Sequence, residues 1–485
     1  MNNGKFLPLL LLSSMGVSAC SDGTEPLNVI YILADDLGYG DLGCYGQQLV
    51  KTPNIDRMAS EGMLFTRHYS GSTVSAPSRS VLMTGLHTGH TPIRGNRGGT
   101  SIGQSEGQYP LPDSSYTIAE MFKDAGYATG AFGKWGLGYP GSEGDPLNQG
   151  FDHFYGYNCQ ALAHKYYPDH LWDDGRKVRI GKNDLIRKDV YSHDLIQDRA
   201  LDFIREHKDT SFFAFLSYTL PHAELLVPED DILQSYRGRF EEEPYVAVQG
   251  DYSEEGAHPF AYCSQPEPHA AFAAMVTRLD MYVGQIMDLL DELGISDHTV
   301  LMFTSDNGPH REGGADPEFF RSSGGLRGIK RDLYEGGIRV PMIARCPGMI
   351  LPGTRSDHLS CFYDVLPTFA EMTGISLGCD VDGISFLPIL RGTGVQRTHP
   401  YLYWEFHEQG GKMAVLKGDY KCICLDVASA DGGSRYELYD LSADPYETND
   451  ISGMHPELVK QMAELMKKSR QPSQLFSFGQ ADGTM

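Results

Sequence analysis

The sequence has no block of clustered Lys and Arg and no long apolar run. Its 40 basic residues are outnumbered by 64 acidic ones, which gives a formal charge of -24 at pH 7. Because a duplex-binding surface neutralises phosphates with clustered basic side chains, this balance excludes nucleic acid as a partner. A membrane-spanning helix needs about 20 consecutive apolar residues, and the apolar run at residues 6–12 is far shorter.

Cysteine is scarce as well, with nine in 485 residues and no CxxC pair. This spacing argues against a structural zinc site and against a small fold held by disulfides. The pairing of the eight cysteines after Cys20 stays open. Hydrophobic residues make up 41% of the chain, which is enough for a large core and excludes disorder as the dominant state. Length alone suggests two to four domains of about 150 residues each.

Residues 1–20 are typical of a lipoprotein signal peptide. Lys5 precedes the apolar run, and small residues lead to the tetrapeptide VSAC, which ends at Cys20. This tetrapeptide resembles the lipobox of bacterial lipoproteins, in which the cysteine becomes the mature N-terminus and carries lipid. We therefore expect an exported protein that is lipid-anchored to a membrane, in the periplasm or on the outer-membrane surface of a Gram-negative bacterium. The alternative is an ordinary secretory cleavage site with a chance cysteine.

Short β-rich apolar runs alternate with helical patterns along most of the chain. The runs are residues 27–34, 128–132, 212–218, 300–304 and 340–344, and helical spacing is clearest at 115–125 and 270–293. This alternation predicts an α/β fold, with a mostly parallel sheet sandwiched by helices over residues 27–395. From 396 to 485 the pattern predicts a small C-terminal α+β domain, an antiparallel sheet plus one helix.

Polar side chains follow four of the predicted strands at the point where each strand ends. In parallel sheets, ligand-binding groups gather beyond the carboxyl ends of the strands. One such motif alone is more often a turn or a helix cap, but four together predict a single site. Several of these groups offer only oxygen ligands, which favours calcium over magnesium as a single bound ion. The residues are Asp35, Asp36, Lys134, His222, Asp306 and Asn307.

The segment SAPSR at residues 75–79 opens a short apolar helical stretch. Pro77 belongs in the first helical turn, which places Ser75 near a helix N-terminus, where free N–H groups favour an anion. Arg79 returns one turn later on the same face and can reach that anion. The simpler interpretation is a helix cap. Lys330 lies beside a second tight glycine turn.

These residues carry a family resemblance. The motifs DDLGYGD (35–41), SAPSR with LMTG (75–85), GKWGLG (133–138), PH (221–222), SDNG (305–308) and KRDLYEGG (330–337) occur in the order typical of the formylglycine-dependent sulfatases. The resemblance extends from about residue 27 to residue 451 and includes ELYDLSADPYE (437–447). It implies an alkaline-phosphatase-like fold and the hydrolysis of sulfate esters.

The resemblance also implies a role for each site residue. Ser75 would be oxidised to formylglycine by an anaerobic radical maturase before export, and one hydroxyl of the hydrated aldehyde would attack sulfur. His222 would be the general acid that protonates the leaving alcohol. The positive groups around the sulfate would be Arg79, Lys134 and Lys330. The calcium ligands would be Asp35, Asp36, Asp306, Asn307 and the Ser75 diol.

One position departs from the family pattern. Many sulfatases have His two residues after the lysine of the GKW motif, where it deprotonates the diol during sulfate release, and this chain has Gly136. The nearest candidates by sequence are His153 and His164, and our hypothesis is that His164 replaces the missing base. A histidine packed in a Tyr-rich loop is the alternative interpretation.

The resemblance and the composition of the loops favour a sulfated glycan of mucin or glycosaminoglycan type, with galactose or N-acetylgalactosamine sulfate as the expected unit. Aromatic, Arg and Glu side chains suit a sugar better than a lipid. A phosphate or phosphonate ester hydrolase of the same superfamily and an inactive glycan-binding lipoprotein are the alternatives. The predicted substrate-binding residues are Arg94, His164, Trp404, Glu405 and His407.

Overall fold

A ten-stranded mixed sheet forms the centre of the computed structural model, which describes Met1 and residues 26–98, 106–184, 187–247, 262–429 and 433–479. The strand order is β11-β2-β10-β9-β1-β8-β4-β5-β6-β7. The five strands from β9 to β5 in this order are parallel to one another, and the pairs β10–β9, β5–β6 and β6–β7 are antiparallel. The bounds are β1 Asn28–Asp35, β2 Met63–Phe65, β4 Ala128–Lys134, β5 His153–Tyr157, β6 His170–Asp173, β7 Arg176–Arg179, β8 Phe212–Pro221, β9 Thr299–Ser305, β10 Met342–Arg345 and β11 Thr354–Ser356.

Helices cover both faces of this sheet. Alternate residues of β1 point into two separate apolar clusters, with Tyr31 in one and Ile32 in the other. The first cluster includes α2 (Ser75–Thr84), α3 (Ile118–Asp124), α9 (Val365–Thr373) and α10 (Leu387–Arg391). The second includes α1 (Pro53–Ser60), α5 (Ser192–Glu206) and α7 (Pro268–Leu293). The short helices are α4 (Gln160–Ala163), α6 (Asp231–Gln234) and α8 (Glu335–Ile338), and β3 (His68–Tyr69) pairs with β12 (Ser360–Cys361).

The predicted α/β fold is confirmed, including its mostly parallel centre. Every apolar run that was predicted to be a strand contains one, and these five strands are buried at every position except Ala128. The run at 340–344 gives β10, which lies antiparallel to β9. Helix α3 begins after Thr117, whose side chain accepts from the backbone N–H of Glu120 while the Glu120 side chain accepts from Thr117 N–H, a capping box that fixes the helix start.

The C-terminal part contains the predicted antiparallel sheet and helix. Strands β13 (Leu402–Phe406), β14 (Lys412–Lys417), β15 (Tyr420–Leu425) and β16 (Arg435–Asp440) pair in that order, and α11 (Pro456–Lys468) packs on β14, β15 and β16. One face of this sheet belongs to the same apolar cluster as α2 and α9, and the other face forms a small cluster with α11. The sheet therefore shares its core with the larger layer structure.

The predicted signal peptide and Cys20 lie outside the described residues. Within the described part of the chain, no helix combines the length and apolarity required to cross a membrane. Among the described residues the eight other cysteines form no disulfide bond, and five of them are buried.

Candidate active site

Four neighbouring strands deliver their C-terminal residues to one buried pocket. Strand β1 ends at Asp35, β4 at Lys134, β8 just before His222 and β9 just before Asp306. Because β1 lies between β8 and β9, with β4 next to β8, these ends are adjacent at the same edge of the sheet. All four side chains are buried. The structure thus brings together the strand-end residues that the sequence places in one site.

Ser75 is the first residue of α2 and lies against the β1 and β4 ends. Its hydroxyl donates to Asp35 Oδ1 at 2.9 Å and accepts from Lys134 Nζ at 3.2 Å, and Lys134 Nζ lies 2.5 Å from Asp35 Oδ2. Glycine is required at position 133, directly before Lys134. Gly133 has a φ of +109°, and a Cβ there would lie 2.0 Å from the carbonyl oxygen of Ser217. Ser75 therefore lies at a helix N-terminus between an ionised acid and a lysine.

Arg79 projects from the next turn of α2 into the same pocket. Its Nη2 lies 3.1 Å from Asp306 Oδ2, and its Nη1 donates to the Lys134 carbonyl oxygen at 2.8 Å and to the Ser217 hydroxyl. Its Nε has no hydrogen-bond partner among the described residues. Sequence reasoning missed Ser217, which lies inside β8 four residues before the strand ends and carries no motif signal.

The other half of the pocket is built around Asp36. Asn307 Nδ2 donates to Asp36 Oδ1 at 2.6 Å, and Lys330 Nζ donates to Asp36 Oδ2 at 2.8 Å. Lys330 Nζ also donates to His222 Nε2 at 3.0 Å and to Glu312 Oε2 at 3.1 Å. Glu312 is an acidic group that the sequence did not point to, because it lies in an irregular loop without a motif of its own.

The donor set fits a hard cation. Asp35, Asp36 and Asp306 are fully buried carboxylates, and Asn307 Oδ1 is buried with no hydrogen-bond partner in the described part of the chain. Burial and the nearby charge of Asp35 raise the pKa of Asp306 to about 7. Burial alone would raise the pKa of Asp35, but Lys134 and the other neighbouring cationic groups hold it well below its usual value. A cation between these oxygens would balance the negative charge of Asp306 and give Asn307 Oδ1 a partner.

His222 is held in a column of three rings. Its ring is stacked on His164 with centroids 4.1 Å apart and on His310 with centroids 5.4 Å apart. Its Nδ1 lies 2.6 Å from the Ala223 carbonyl oxygen, so Nδ1 carries a proton and Nε2 is the nitrogen that faces Lys330. Burial and the charge of Lys330 lower the pKa of His222 well below its usual value. An anion bound beside the ring would raise that pKa again.

The space beside Gly136 is occupied by an amide pair that sequence reasoning did not find. A Cβ at Gly136 would lie 3.7 Å from Gln160, whose Nε2 donates to Asn96 Oδ1 at 3.2 Å. Asn96 Oδ1 also accepts from the backbone N–H of Ala76, next to Ser75. His164 follows α4 and is half-buried, and its buried Nε2 has no hydrogen-bond partner among the described residues.

His153 is excluded as the missing base. It is the first residue of β5, and therefore lies at the opposite end of the sheet from the strand ends that form the pocket. Its side chain is exposed and lies 3.2 Å from Asp174 Oδ2. His164 is therefore the candidate that the structure brings into the pocket, through its contact with His222.

Four of the predicted substrate-binding residues lie instead in a buried cluster under the C-terminal sheet. Glu405 accepts from Arg94 Nη1 at 3.1 Å, from Arg470 Nε at 3.0 Å and from the Tyr403 hydroxyl at 2.7 Å, and His407 Nε2 lies 2.9 Å from its Oε1. Trp404 is buried and donates to the Ser70 carbonyl oxygen at 2.9 Å. The polar groups of Arg94, Trp404 and Glu405 thus bond within the chain, while half-buried His407 keeps Nδ1 without a hydrogen-bond partner among the described residues. Sugar contact by these residues stays a prediction.

This cluster gives a stability prediction. Burial would raise the pKa of Glu405, but His407 and Arg94 lower it to about 2. Glu405→Gln should lower the free energy of unfolding by about 3–5 kcal/mol at pH 7, because two arginines lose a buried counterion. A folded pKa below the unfolded value of about 4.3 means that the wild-type advantage is lost as pH falls from about 4 towards 2.

Urea unfolding at pH 7 and pH 3 measures this difference. The surface variant Glu318→Gln, whose partner Arg311 is exposed, is the control and should change stability by less than about 1 kcal/mol. A loss for Glu405→Gln that is independent of pH would contradict the ion-pair explanation.

The alkaline-phosphatase-like fold and a pocket of acids, lysines, arginine and histidine at the strand ends define a hydrolase of anionic esters. The family model described as Sulfatase matches residues 27–375, and the model described as N-sulphoglucosamine sulphohydrolase, C-terminal matches residues 329–472. The chain belongs to the formylglycine-dependent sulfatase family and is a sulfuric ester hydrolase.

Relatives match the chain over nearly its whole length. N-acetylgalactosamine-6-O-sulfatase of Bacteroides thetaiotaomicron is 31% identical, covering 96% of this chain and 99% of the relative. Human arylsulfatase A is 30% identical, covering 97% of this chain and 92% of the relative. A solved structure from Bacteroides thetaiotaomicron, connected with the metabolism of multiple glycosaminoglycans, superposes with a TM-score of 0.72 at 26% identity, covering 92% of this chain and 99% of that chain.

Proposed function

We propose that this protein releases sulfate from a sulfated carbohydrate, using formylglycine formed from Ser75 and one calcium ion. The observation that carries the proposal is the position of Ser75 at the start of α2, bonded to both Asp35 and Lys134 in a pocket whose remaining charged groups suit a sulfate and a cation. The proposed metal ligands besides position 75 are Asp35, Asp36, Asp306 and Asn307.

Each charged group has a place in the reaction. When present, formylglycine supplies a hydrated aldehyde with one hydroxyl to attack sulfur and a second that permits sulfate release. Calcium supplies a Lewis acid that neutralises charge on sulfate. Lys134 bonds the side-chain oxygen of residue 75 and keeps Asp35 ionised. Arg79 faces the same pocket with an unpartnered Nε, a donor that a sulfate oxygen can use.

The leaving alcohol is protonated by His222, in the half of the pocket built around Asp36. His222 presents Nε2 towards the pocket, and Lys330 donates to that nitrogen at 3.0 Å. An arriving sulfate raises the pKa of His222, so that the ring takes up a proton and delivers it to the ester oxygen as the bond to sulfur breaks. Lys330 also bonds Asp36, which fixes its ammonium group beside His222.

His164 is the proposed base for the release of sulfate. Burial and the neighbouring His222 lower the pKa of His164 well below its usual value, which keeps the ring neutral before the reaction, and the negative charge of a bound sulfate would raise that pKa and make the ring a better proton acceptor. His164→Ala should therefore slow steady-state turnover about 10²-fold, while a first burst of alcohol product is still released. Stopped-flow measurement of the alcohol tests this, and full turnover without a burst would refute the assignment.

The proposed substrate is a mucin- or glycosaminoglycan-type glycan that carries sulfate on galactose or N-acetylgalactosamine. Support comes from two relatives whose names specify N-acetylgalactosamine-6-sulfate, one from Bacteroides thetaiotaomicron and one from rat at 32% identity over 86% of this chain. We expect N-acetylgalactosamine 6-sulfate to be the best of the simple sugar sulfates.

Mass spectrometry of the Ser75 peptide tests the mechanism. Protein made together with an anaerobic radical maturase should show loss of two hydrogens at Ser75 and release sulfate, and protein made without the maturase should show neither. An unmodified protein that turns over phosphate esters faster than sulfate esters would instead support a phosphate or phosphonate ester hydrolase. A modified protein without any turnover would support a glycan-binding lipoprotein.

We also propose that the protein is exported and anchored through acyl chains on Cys20, on the basis of the VSAC tetrapeptide. Intact-mass measurement of protein extracted from membranes should show the acyl groups together with the Ser75 modification. A mature protein that begins at another residue and carries no lipid would contradict the anchor but not the activity.

The charge of the whole chain predicts a preference for short or terminal glycans. The formal charge is -24, so that a polymeric polyanion is repelled by the exterior, while a single sulfate is held by short-range contacts in the pocket. Sulfate release should be faster from oligosaccharides than from the intact polymer at low salt, and the difference should shrink at about 0.5 M salt as charges are screened. Equal rates at low salt would contradict this prediction.

A further inference from the structure

The pocket opens on the side of Glu312. Side-chain exposure is zero for Asp36, 3% for His222, 5% for Lys330 and 19% for Glu312, and it reaches 33% for Arg331. A leaving alcohol that receives its proton from His222 must extend along this gradient towards solvent. Glu312 is therefore the first acidic group that the sugar meets beyond the sulfate.

Two cationic side chains hold the carboxylate of Glu312, and a histidine holds its backbone. Oε2 accepts from Lys330 Nζ at 3.1 Å, and Oε1 lies 2.6 Å from Arg331 Nη2. The backbone N–H of Glu312 donates to His310 Nδ1 at 3.1 Å, and His310 Nε2 donates to the Pro221 carbonyl oxygen at 3.2 Å. Loop 310–312 is thus tied to the end of β8, next to His222.

The turn that carries Arg331 is fixed as well. Arg331 has a φ of +77°, a conformation that costs energy for a residue with a Cβ. Its backbone N–H donates to the Thr73 carbonyl oxygen at 3.1 Å, and its own carbonyl oxygen accepts from Lys412 Nζ at 2.7 Å. Arg331, one partner of Glu312, is therefore held both by the segment that precedes α2 and by the C-terminal sheet. The Glu312 carboxylate consequently has a defined position without a ligand.

An ionised carboxylate is an acceptor only, with about four lone-pair positions. Burial alone would raise the pKa of Glu312, but Lys330, His222, His310 and Arg331 hold it well below its usual value. Lys330 and Arg331 occupy one position on each oxygen, which leaves further positions that only a donor can fill. The donors that a neutral sugar offers are its hydroxyl groups.

We infer that Glu312 is a specificity-determining residue that accepts a hydrogen bond from the free hydroxyl next to the sulfate ester and excludes sugars that carry a second anionic group there. Its Oε2 lies 3.8 Å from His222 Nε2. His222 Nε2 can therefore reach the ester oxygen while Glu312 Oε2 accepts from the neighbouring hydroxyl of the same sugar. The inference rests on the proposed carbohydrate substrate and narrows it to neutral monosulfated units.

The test measures binding without turnover. In a Ser75→Ala background, isothermal titration calorimetry compares N-acetylgalactosamine 6-sulfate with its 4-deoxy analogue and with the 4,6-disulfate. With Glu312 present, the monosulfate should bind about 10- to 100-fold more tightly than the deoxy analogue, as expected for a hydrogen bond to a charged group. In Glu312→Gln, this preference should fall below about 3-fold, and discrimination against the disulfate should fall as well.

Glu318→Gln is the matched control, because Glu318 is an exposed acid in the same segment that pairs with Arg311, and it should retain both preferences. Equal losses of affinity for the monosulfate and the deoxy analogue in Glu312→Gln would overturn the inference alone, since Glu312 would then act only through Lys330. If the Ser75→Ala protein with Glu312 unchanged does not bind the monosulfate, both the inference and the proposed sugar are overturned.

Discussion

Ser75→Ala should reduce the release of sulfate at least about 10³-fold, an increase of about 4 kcal/mol in the activation free energy. In the proposed mechanism the hydroxyl of Ser75 is the group that is oxidised, and no other hydroxyl in the described pocket is bonded to both Asp35 and Lys134. An alanine leaves the sulfate-binding cations in place, so that substrate binding should be retained while turnover is lost. Steady-state assays of matured protein and calorimetric binding of the sugar sulfate separate the two effects.

Two control variants make the result specific. Ser80→Ala removes a buried hydroxyl on the same helix, whose hydrogen bond within the described part of the chain is to the Thr91 hydroxyl at 2.6 Å, and should keep nearly full activity. Ser75→Cys should be active only when it is made with a maturase that accepts cysteine, because family members use either residue. Activity of Ser75→Ala above one tenth of the wild-type value would contradict the assignment of Ser75.

The strand-end residues could be predicted because local sequence determines where buried strands stop. An apolar run such as 27–34 is buried on both faces, and the first polar residues after it must lie at the sheet edge. Asp35 and Lys134 follow this rule, and a parallel sheet brings such ends together whatever the loops between them do. Ser75 was predictable for a different reason, because Pro77 fixes the start of α2.

The residues that complete the pocket could not be predicted in this way. Ser217 lies within a strand, Glu312 lies in an irregular loop, and Gln160 reaches the space beside Gly136 from another element. Their positions depend on contacts between segments distant in sequence. Composition suggests a sugar-binding surface at Trp404 and Glu405, but these neighbours point to opposite faces of β13 and both are buried, Trp404 beside Tyr69 and Glu405 between Arg94 and Arg470.

Removal of the metal should have the second largest effect. Treatment with a chelator should lower the activity of matured protein at least about 100-fold and lower the Tm by several degrees, because bound calcium stabilises only the folded state. Asp35, Asp36 and Asp306 are fully buried, and the proposed cation would relieve their mutual repulsion. Calcium should restore activity and Tm better than magnesium, which requires a more regular octahedral set of ligands.

Asp306→Asn tests whether these carboxylates hold the ion. Burial and the charge of Asp35 raise the pKa of Asp306 to about 7. The neutral side chain of Asp306→Asn should therefore remove an unfavourable buried charge from the metal-free protein while weakening calcium binding. We therefore expect the variant to have a metal-free Tm at or above that of wild type and to lose most of the calcium-dependent rise. Asp280→Asn is the control, because Asp280 is a buried acid bonded to Asn54 and Ile55 outside the pocket, and its calcium-dependent rise should match that of wild type. A full calcium response in Asp306→Asn would place the ion elsewhere.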